Sequence, residues 1–289
     1  MIDERDVLGP SVAGLWYPAA AAELSAQVDL LLRNATPEHD RPPPPCAIIA
    51  PHAGYVYSGA VAARGFAAAR GSCAARVLLL GPSHHHAFPG AAVPESARYR
   101  TPLGDVPIDR EATTGLRDAE WFRGDDGPFG REHSLEAEIP FLQRTLDAGW
   151  RLVPVLIGAG TSRAASASVA RSLSAVVDDD TLVVVSSDFT HFGSRFGFAP
   201  FREQVDRRIA QLDRGAIDRI LDWDVDDFER YVDSTGATIC GRDAIGILMR
   251  LWPERRRGSL AAYDTSGRMT GDSEHSVSYA SLVFDRANA

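Results

Sequence analysis

The chain has 289 residues, with 39 acidic residues against 30 basic ones, and every basic residue is arginine. With no lysine, a Schiff-base lysine, a P-loop lysine and a lysine general base are all excluded. A net charge of −9 argues against a dedicated nucleic-acid binder, whose affinity rests on neutralising phosphates.

Three cysteines, Cys46, Cys73 and Cys240, are too few and too scattered for a disulfide framework. They read as reduced thiols in a cytoplasmic protein. The acidic, polar start MIDERDVLGP has no signal-peptide pattern, and apolar runs such as 77–81 and 182–185 are far too short to span a bilayer. Neither a membrane nor a nucleic acid is expected as a partner.

Along the chain, residues 19–32 place Leu24, Val28, Leu31 and Leu32 at helical spacing and predict an amphipathic helix. A proline-rich connector at 41–45 leads into the apolar run 46–50, closed by Pro51 as a buried strand would be. Residues 60–69 are helical in composition, and 76–81 repeat the strand pattern. Short strands or loops are expected over 87–108. A helix is expected from Ser134, with Pro140 limiting or kinking it. A third strand is predicted at 152–157, a helix at 163–177 and a fourth strand at 181–185. Residues 201–252 read as mostly helical, followed by closing strands at 258–264 and 276–284. Strands alternating with helices predict a single α/β domain over 1–289, with a central, mostly parallel sheet flanked by helices.

The histidines gather where such a sheet binds ligands, just beyond the carboxyl ends of its strands. His52 follows the first strand in Pro51-His-Ala-Gly-Tyr55, and His84, His85 and His86 follow the second. Asp188 and His191 follow the fourth, in Ser186-Ser-Asp-Phe-Thr-His191. Imidazoles delivered to one rim from separate strands are what a metal site requires. In Glu132-His-Ser-Leu-Glu136, His133 and Glu136 stand at i, i+3 on one expected helical face. That pair either supports a metal-bound substrate or belongs to a helix start capped by Ser134. Cys240 precedes a predicted helix, where a thiol pKa is lowered, although spacing alone favours a buried core cysteine. No Gly-x-Ser-x-Gly elbow supports a serine hydrolase, and no Gly-x-Gly-x-x-Gly supports dinucleotide binding.

At these residues the sequence resembles the Memo family, called AmmeMemoRadiSam system protein B in bacteria and archaea. The matching blocks run in order from Gly14-Leu-Trp-Tyr-Pro18 through Ile48-Ile-Ala-Pro-His-Ala-Gly-Tyr55, Leu80-Gly-Pro-Ser-His-His85 and Tyr99-Arg-Thr-Pro-Leu-Gly104. They continue through Glu132-His-Ser-Leu-Glu136, Ser186-Ser-Asp-Phe-Thr-His191 and Thr238-Ile-Cys-Gly-Arg242 to Ser276-Val-Ser-Tyr-Ala280. The resemblance implies a fold like the class III extradiol ring-cleaving dioxygenases, with His52, His84 and Cys240 as metal ligands. It implies His191 as acid/base histidine with Asp188 orienting it, and His133, from the spacing above, completes the candidate catalytic residues. Fe(II) is the expected metal, with copper or zinc competing because a thiolate replaces the carboxylate of the dioxygenase facial triad. The expected activity is that of a non-haem-metal oxidoreductase acting on a hydroxylated aromatic. The alternatives are a non-catalytic metal-binding or redox adaptor working with radical SAM and Ammecr-domain proteins, or a metal-dependent hydrolase.

Overall fold

The computed structural model describes residues 6–35, 43–272 and 274–286. Positions 41 and 42 of the expected proline-rich connector lie outside the described residues.

The chain begins with the short strand β1 (Val7–Leu8) and helix α1 (Ala21–Ala35), then β2 (Ala47–Ala50), α2 (Tyr55–Ala68) and β3 (Arg76–Pro82). Short strands follow, β4 (Ala91–Val93), β5 (Arg98–Thr101) and β6 (Gly104–Pro107), then α3 (Arg110–Arg117) and β7 (Phe122–Gly124). The middle of the chain supplies α4 (Ile139–Thr145), β8 (Arg151–Ile157), α5 (Arg163–Ser174), β9 (Thr181–Ser186) and β10 (His191–Phe192). Three helices, α6 (Val205–Asp222), α7 (Val225–Thr235) and α8 (Arg242–Leu251), precede β11 (Gly258–Thr265), α9 (Ser266–Thr270) and β12 (Ser276–Phe284).

The large sheet runs β10-β12-β2-β9-β3-β8-β4-β7, with β11 also paired to β12. Its centre, β2-β9-β3-β8, is parallel. The margins are mixed: β12 lies antiparallel to β2, β10 and β11, and β4 lies antiparallel to β8 but parallel to β7. The sheet is therefore mixed, not mostly parallel. Parallel neighbours need a crossover of a dozen or more residues, and the β4–β7 connection, which carries α3, supplies one at the outer edge as well. A separate three-stranded sheet, β1-β5-β6, holds the N-terminal segment.

Side-chain alternation divides the central strands between two apolar layers. Ile48, Val77, Leu79, Leu182 and Val184 pack with α1, α2 and α4, among them Leu24, Phe66 and Phe141. Ile49, Leu78, Leu80, Val183 and Val185 face Val169 of α5, Ile217 of α6 and Ile245 of α8. Helices on both faces explain why these strands read as continuous apolar runs. Among the described residues, no helix is long and apolar enough to cross a membrane.

Candidate metal centre

β2 and β9 are parallel neighbours with Ala50 opposite Ser186. Two residues beyond that pair, His52 and Asp188 meet: the His52 backbone N–H donates to Asp188 Oδ1 at 2.9 Å. His52 Nδ1 lies 2.7 Å from Ser186 Oγ. That hydroxyl also contacts the Ser134 carbonyl at 2.5 Å and Glu138 Oε1 at 2.9 Å. His52 is buried, and burial, followed by the neighbouring His84, His133 and His191, holds its pKa well below the usual histidine range.

His84 follows β3 and is fixed from the other side by Glu132. Glu132 Oε1 lies 2.9 Å from His84 Nδ1, and Oε2 accepts from the His84 backbone N–H at 2.5 Å. Oε1 also accepts from the backbone N–H groups of His133 at 3.0 Å and Ser134 at 2.9 Å. Burial pushes the Glu132 carboxyl up, but its hydrogen bonds and the His84 charge outweigh this and bring it to about 2. The His133 ring stacks on His84, with centroids 4.7 Å apart and planes 7° from parallel. Trp16 covers His133 at a centroid distance of 4.1 Å. Burial, against the opposing charge of Glu132, lowers His133 to about 4.

His52, His84 and His133 each offer one ligand atom, all within 4.8 Å of one another, and could hold a metal ion. Cys240 joins them from the turn before α8, its Sγ 3.4 Å from His52 Nε2. The Asp188 backbone N–H donates to that sulfur at 3.2 Å. The expected lowering of the Cys240 pKa at a helix start does not occur: burial, reinforced by the Asp188 charge, pushes the thiol well above the usual range. A short dipole at the rim of α8 cannot offset removal from water.

Asp188 and His191 both lie beside the cluster, but not as an orienting pair. His191 Nδ1 sits between the carbonyls of Phe189 at 3.0 Å and Thr238 at 3.1 Å, which require it to carry the proton. The Asp188 carboxyl is occupied with the His52 backbone and acts on His191 through its charge. Glu136 is elsewhere altogether. The segment 136–138 forms a tight helical turn before α4, with Pro140 in the first turn of α4, so His133 and Glu136 share no α-helical face. Glu136 instead accepts hydrogen bonds from Ser11, Val12 and Tyr17 of the N-terminal segment. Ser134 is not a cap either, its hydroxyl donating to the Pro82 carbonyl.

The Memo-like protein family model matches residues 9–283. Protein MEMO1 of Xenopus tropicalis is 35% identical over 93% of this chain and 94% of its own length. A MEMO1 family protein of Thermoplasma acidophilum is 33% identical over 95% of this chain and 97% of its own. Protein memo-1 homolog of Caenorhabditis elegans is 33% identical over 94% and 81% respectively.

The chain belongs to the Memo family.

The match spans the whole Memo site, from Trp16 to Cys240. Three of its supporting residues were not singled out in the sequence: Glu132, Ser186 and Glu138. Glu132 and Ser186 stand within quoted motifs, but their roles depend on contacts 48 and 134 residues away along the chain. His85 and His86 are exposed, and only the His85 ring approaches the cluster, at 6.1 Å from His133. A cavity of about 270 Å³ opens between His84, Cys240, Ile157 and Asp243. A larger concavity of about 880 Å³, between α6 and β11, shares no residue with the Memo site. The chemistry favours the smaller one, where the donors are.

Proposed function

We propose that this Memo-family protein is a metal-binding oxidoreductase of the cytoplasm, acting on a small hydroxylated aromatic. The ligand set is His52, His84 and Cys240, with His133 as the competing third donor. The observation that carries this reading is the pinning of two imidazoles at Nδ1, that of buried His52 by Ser186 and that of exposed His84 by Glu132. Each is left to present Nε2, beside a thiol and a third imidazole. Donors of nitrogen and sulfur fit Fe(II), Cu(I) or Zn(II) and are poor for magnesium or calcium.

When bound, Fe(II) supplies Lewis acidity and one-electron chemistry toward a ligand in the cavity. The remaining tasks belong to side chains. His191, protonated at Nδ1, keeps a lone pair at Nε2 that can take a proton from a substrate hydroxyl. A cavity of about 270 Å³ restricts the ligand to a small molecule.

The soft Cys240 donor also favours a second reading, a Cu(I) or Zn(II) carrier without turnover that works with radical SAM and Ammecr-domain proteins. Metal analysis of the purified protein and its His52→Ala, His133→Ala and Cys240→Ala variants tests the site. Loss of metal in His52→Ala and Cys240→Ala but not in His133→Ala supports the thiolate set. Undiminished metal in His52→Ala overturns the site. Oxygen uptake by the Fe(II)-loaded protein with catechols tests the oxidoreductase reading, and copper retained with no uptake for any catechol leaves the carrier.

A further inference from the structure

Glu138 is fully buried, and its side chain has a contact but no obvious task. Its Oε1 lies 2.9 Å from Ser186 Oγ, while Oε2 has no hydrogen-bond partner. Among the described residues its charged neighbour is Asp188, and burial together with that negative charge pushes the Glu138 carboxyl well above the usual range. Tyr55, the nearest phenol, spends its O–H on the Ala137 carbonyl at 2.7 Å.

Counting hydrogens at Ser186 settles what Glu138 must be. The hydroxyl has one hydrogen to give and two lone pairs to accept with. It has three neighbours: the Ser134 carbonyl at 2.5 Å, His52 Nδ1 at 2.7 Å and Glu138 Oε1 at 2.9 Å. A carbonyl only accepts, and two oxygens this close need a hydrogen between them, so the Ser186 hydrogen goes to Ser134. Both remaining neighbours must then donate. His52 carries its proton at Nδ1, and the carboxyl of Glu138 carries one at Oε1. The unpartnered Oε2 agrees, because a neutral carbonyl oxygen is far less costly to bury alone than half of a carboxylate.

We infer that Glu138 is a neutral carboxylic acid that donates its O–H to Ser186 and so holds in place the hydroxyl that, with its own hydrogen on the Ser134 carbonyl, fixes His52 as the Nδ1–H tautomer and keeps its Nε2 lone pair facing the cluster. The two histidines that flank the site are thus held by opposite means. An ionised Glu132 holds His84, and a proton-bearing Glu138 holds His52 at one remove. Glu138 is a positioning residue. Its use to the protein rests on the metal-binding reading, but its protonation state does not.

The test separates the two. Infrared difference spectra of the metal-free full chain, wild type minus Glu138→Gln at neutral pH, should show a protonated-carboxyl carbonyl band that shifts in D₂O. In ¹⁵N-histidine NMR, His52 should be the Nδ1–H tautomer in wild type and in Glu138→Gln, whose amide N–H replaces the acid O–H. In Glu138→Leu the tautomer should persist, because the Ser134 carbonyl still takes the Ser186 hydrogen, while the hydroxyl loses the donor that holds it in place. Titrated with Co(II) alone, Glu138→Gln should bind within about twofold of wild type, and Glu138→Leu about 10–100-fold more weakly, as for loss of an outer partner of a ligand. Absence of the carboxyl band, or a His52 Nε2–H tautomer in wild type, overturns the inference. The band and tautomer present in a protein that binds no Co(II) leave it standing and remove the metal reading instead.

Discussion

His84 and Glu132 are joined twice, ring Nδ1 to Oε1 at 2.9 Å and backbone N–H to Oε2 at 2.5 Å. One carboxylate thereby sets both the rotamer of the imidazole and the position of the loop carrying it. The same carboxylate collects the N–H groups of His133 and Ser134, so two parts of the cluster separated by 48 residues in sequence share one anchor.

Glu132→Gln turns an amide N–H₂ toward one of these donors and should weaken Co(II) or Zn(II) binding by about 10–100-fold. Glu132→Ala leaves several buried N–H groups unpaired and should destabilise the fold by about 3 kcal/mol or more. Urea unfolding followed by circular dichroism measures the second effect. A loss below about 1 kcal/mol would contradict the anchoring role.

Glu136 ties the segment bearing Trp16 to the body through Ser11, Val12 and Tyr17. Glu136→Ala should cost about 2–4 kcal/mol, since it strands a buried tyrosine hydroxyl and two backbone N–H groups. It should also release Trp16 from its place over His133. Trp16 emission, isolated by comparison with Trp16→Phe, should shift to the red in Glu136→Ala; unchanged emission would show that the ring contact holds without the clamp.

Gly241 lies between Cys240 and α8, packed on the end of β9. A Cβ there would stand 2.5 Å from Ser187 Cβ and 2.8 Å from the Ser186 carbonyl oxygen, both tied to the sheet. Gly241→Ala should therefore cost about 1–3 kcal/mol and push Cys240 away from His52. If Cys240 is a ligand, metal affinity falls with it, and an equilibrium titration with Zn(II) at a temperature where the variant is folded should show the loss. Unchanged affinity would point to His133 as the third donor.

Asp213 on α6 accepts from Thr190 Oγ1 at 2.6 Å and from Tyr263 at 2.6 Å, fixing the loop that leads to His191. Burial raises its pKa in spite of hydrogen bonds from Ser278, Thr190 and Tyr263. The folded state therefore binds this proton more tightly than the unfolded state does. Its contribution is complete below the ordinary Asp value, about 3.9, and is lost as pH rises through the folded value. Wild type should lose stability relative to Asp213→Asn as pH rises from about 4. Denaturant midpoints across that range give the slope, and a difference that grows with pH would contradict it. Tyr263→Phe should cost about 1–3 kcal/mol by unpairing Asp213 Oδ2.

The central strands were legible because burial on both faces leaves an apolar run, and because Pro51, Gly81 and Pro82 mark where two of them end. From those ends alone His52, His84 and the 186–191 loop could be placed on one rim. The antiparallel margins were not legible. β10 is two residues long and β4 three, and such pieces are defined by their partners rather than by their own pattern. The i, i+3 reading of His133 and Glu136 failed because periodicity assumes an α-helix that starts only at Ile139. The acids behind the histidines were hidden for a different reason. A supporting carboxylate has no spacing rule, and Glu132, Glu136 and Glu138 look alike in sequence while one holds a histidine, one a chain segment and one, as inferred above, a proton.

The order of the sheet also sets a timetable. β2, which carries His52, lies between β9 and β12, so its two neighbours are made more than 130 and 220 residues after it. As the ribosome delivers the chain, His52 waits for Ser186 to fix its ring, and Cys240 arrives later still. Closing such distant pairs is slow compared with local helix formation. The centre is assembled only when nearly the whole chain has emerged, so on the metal-binding reading proposed above the ion goes to a finished protein and not to a nascent one.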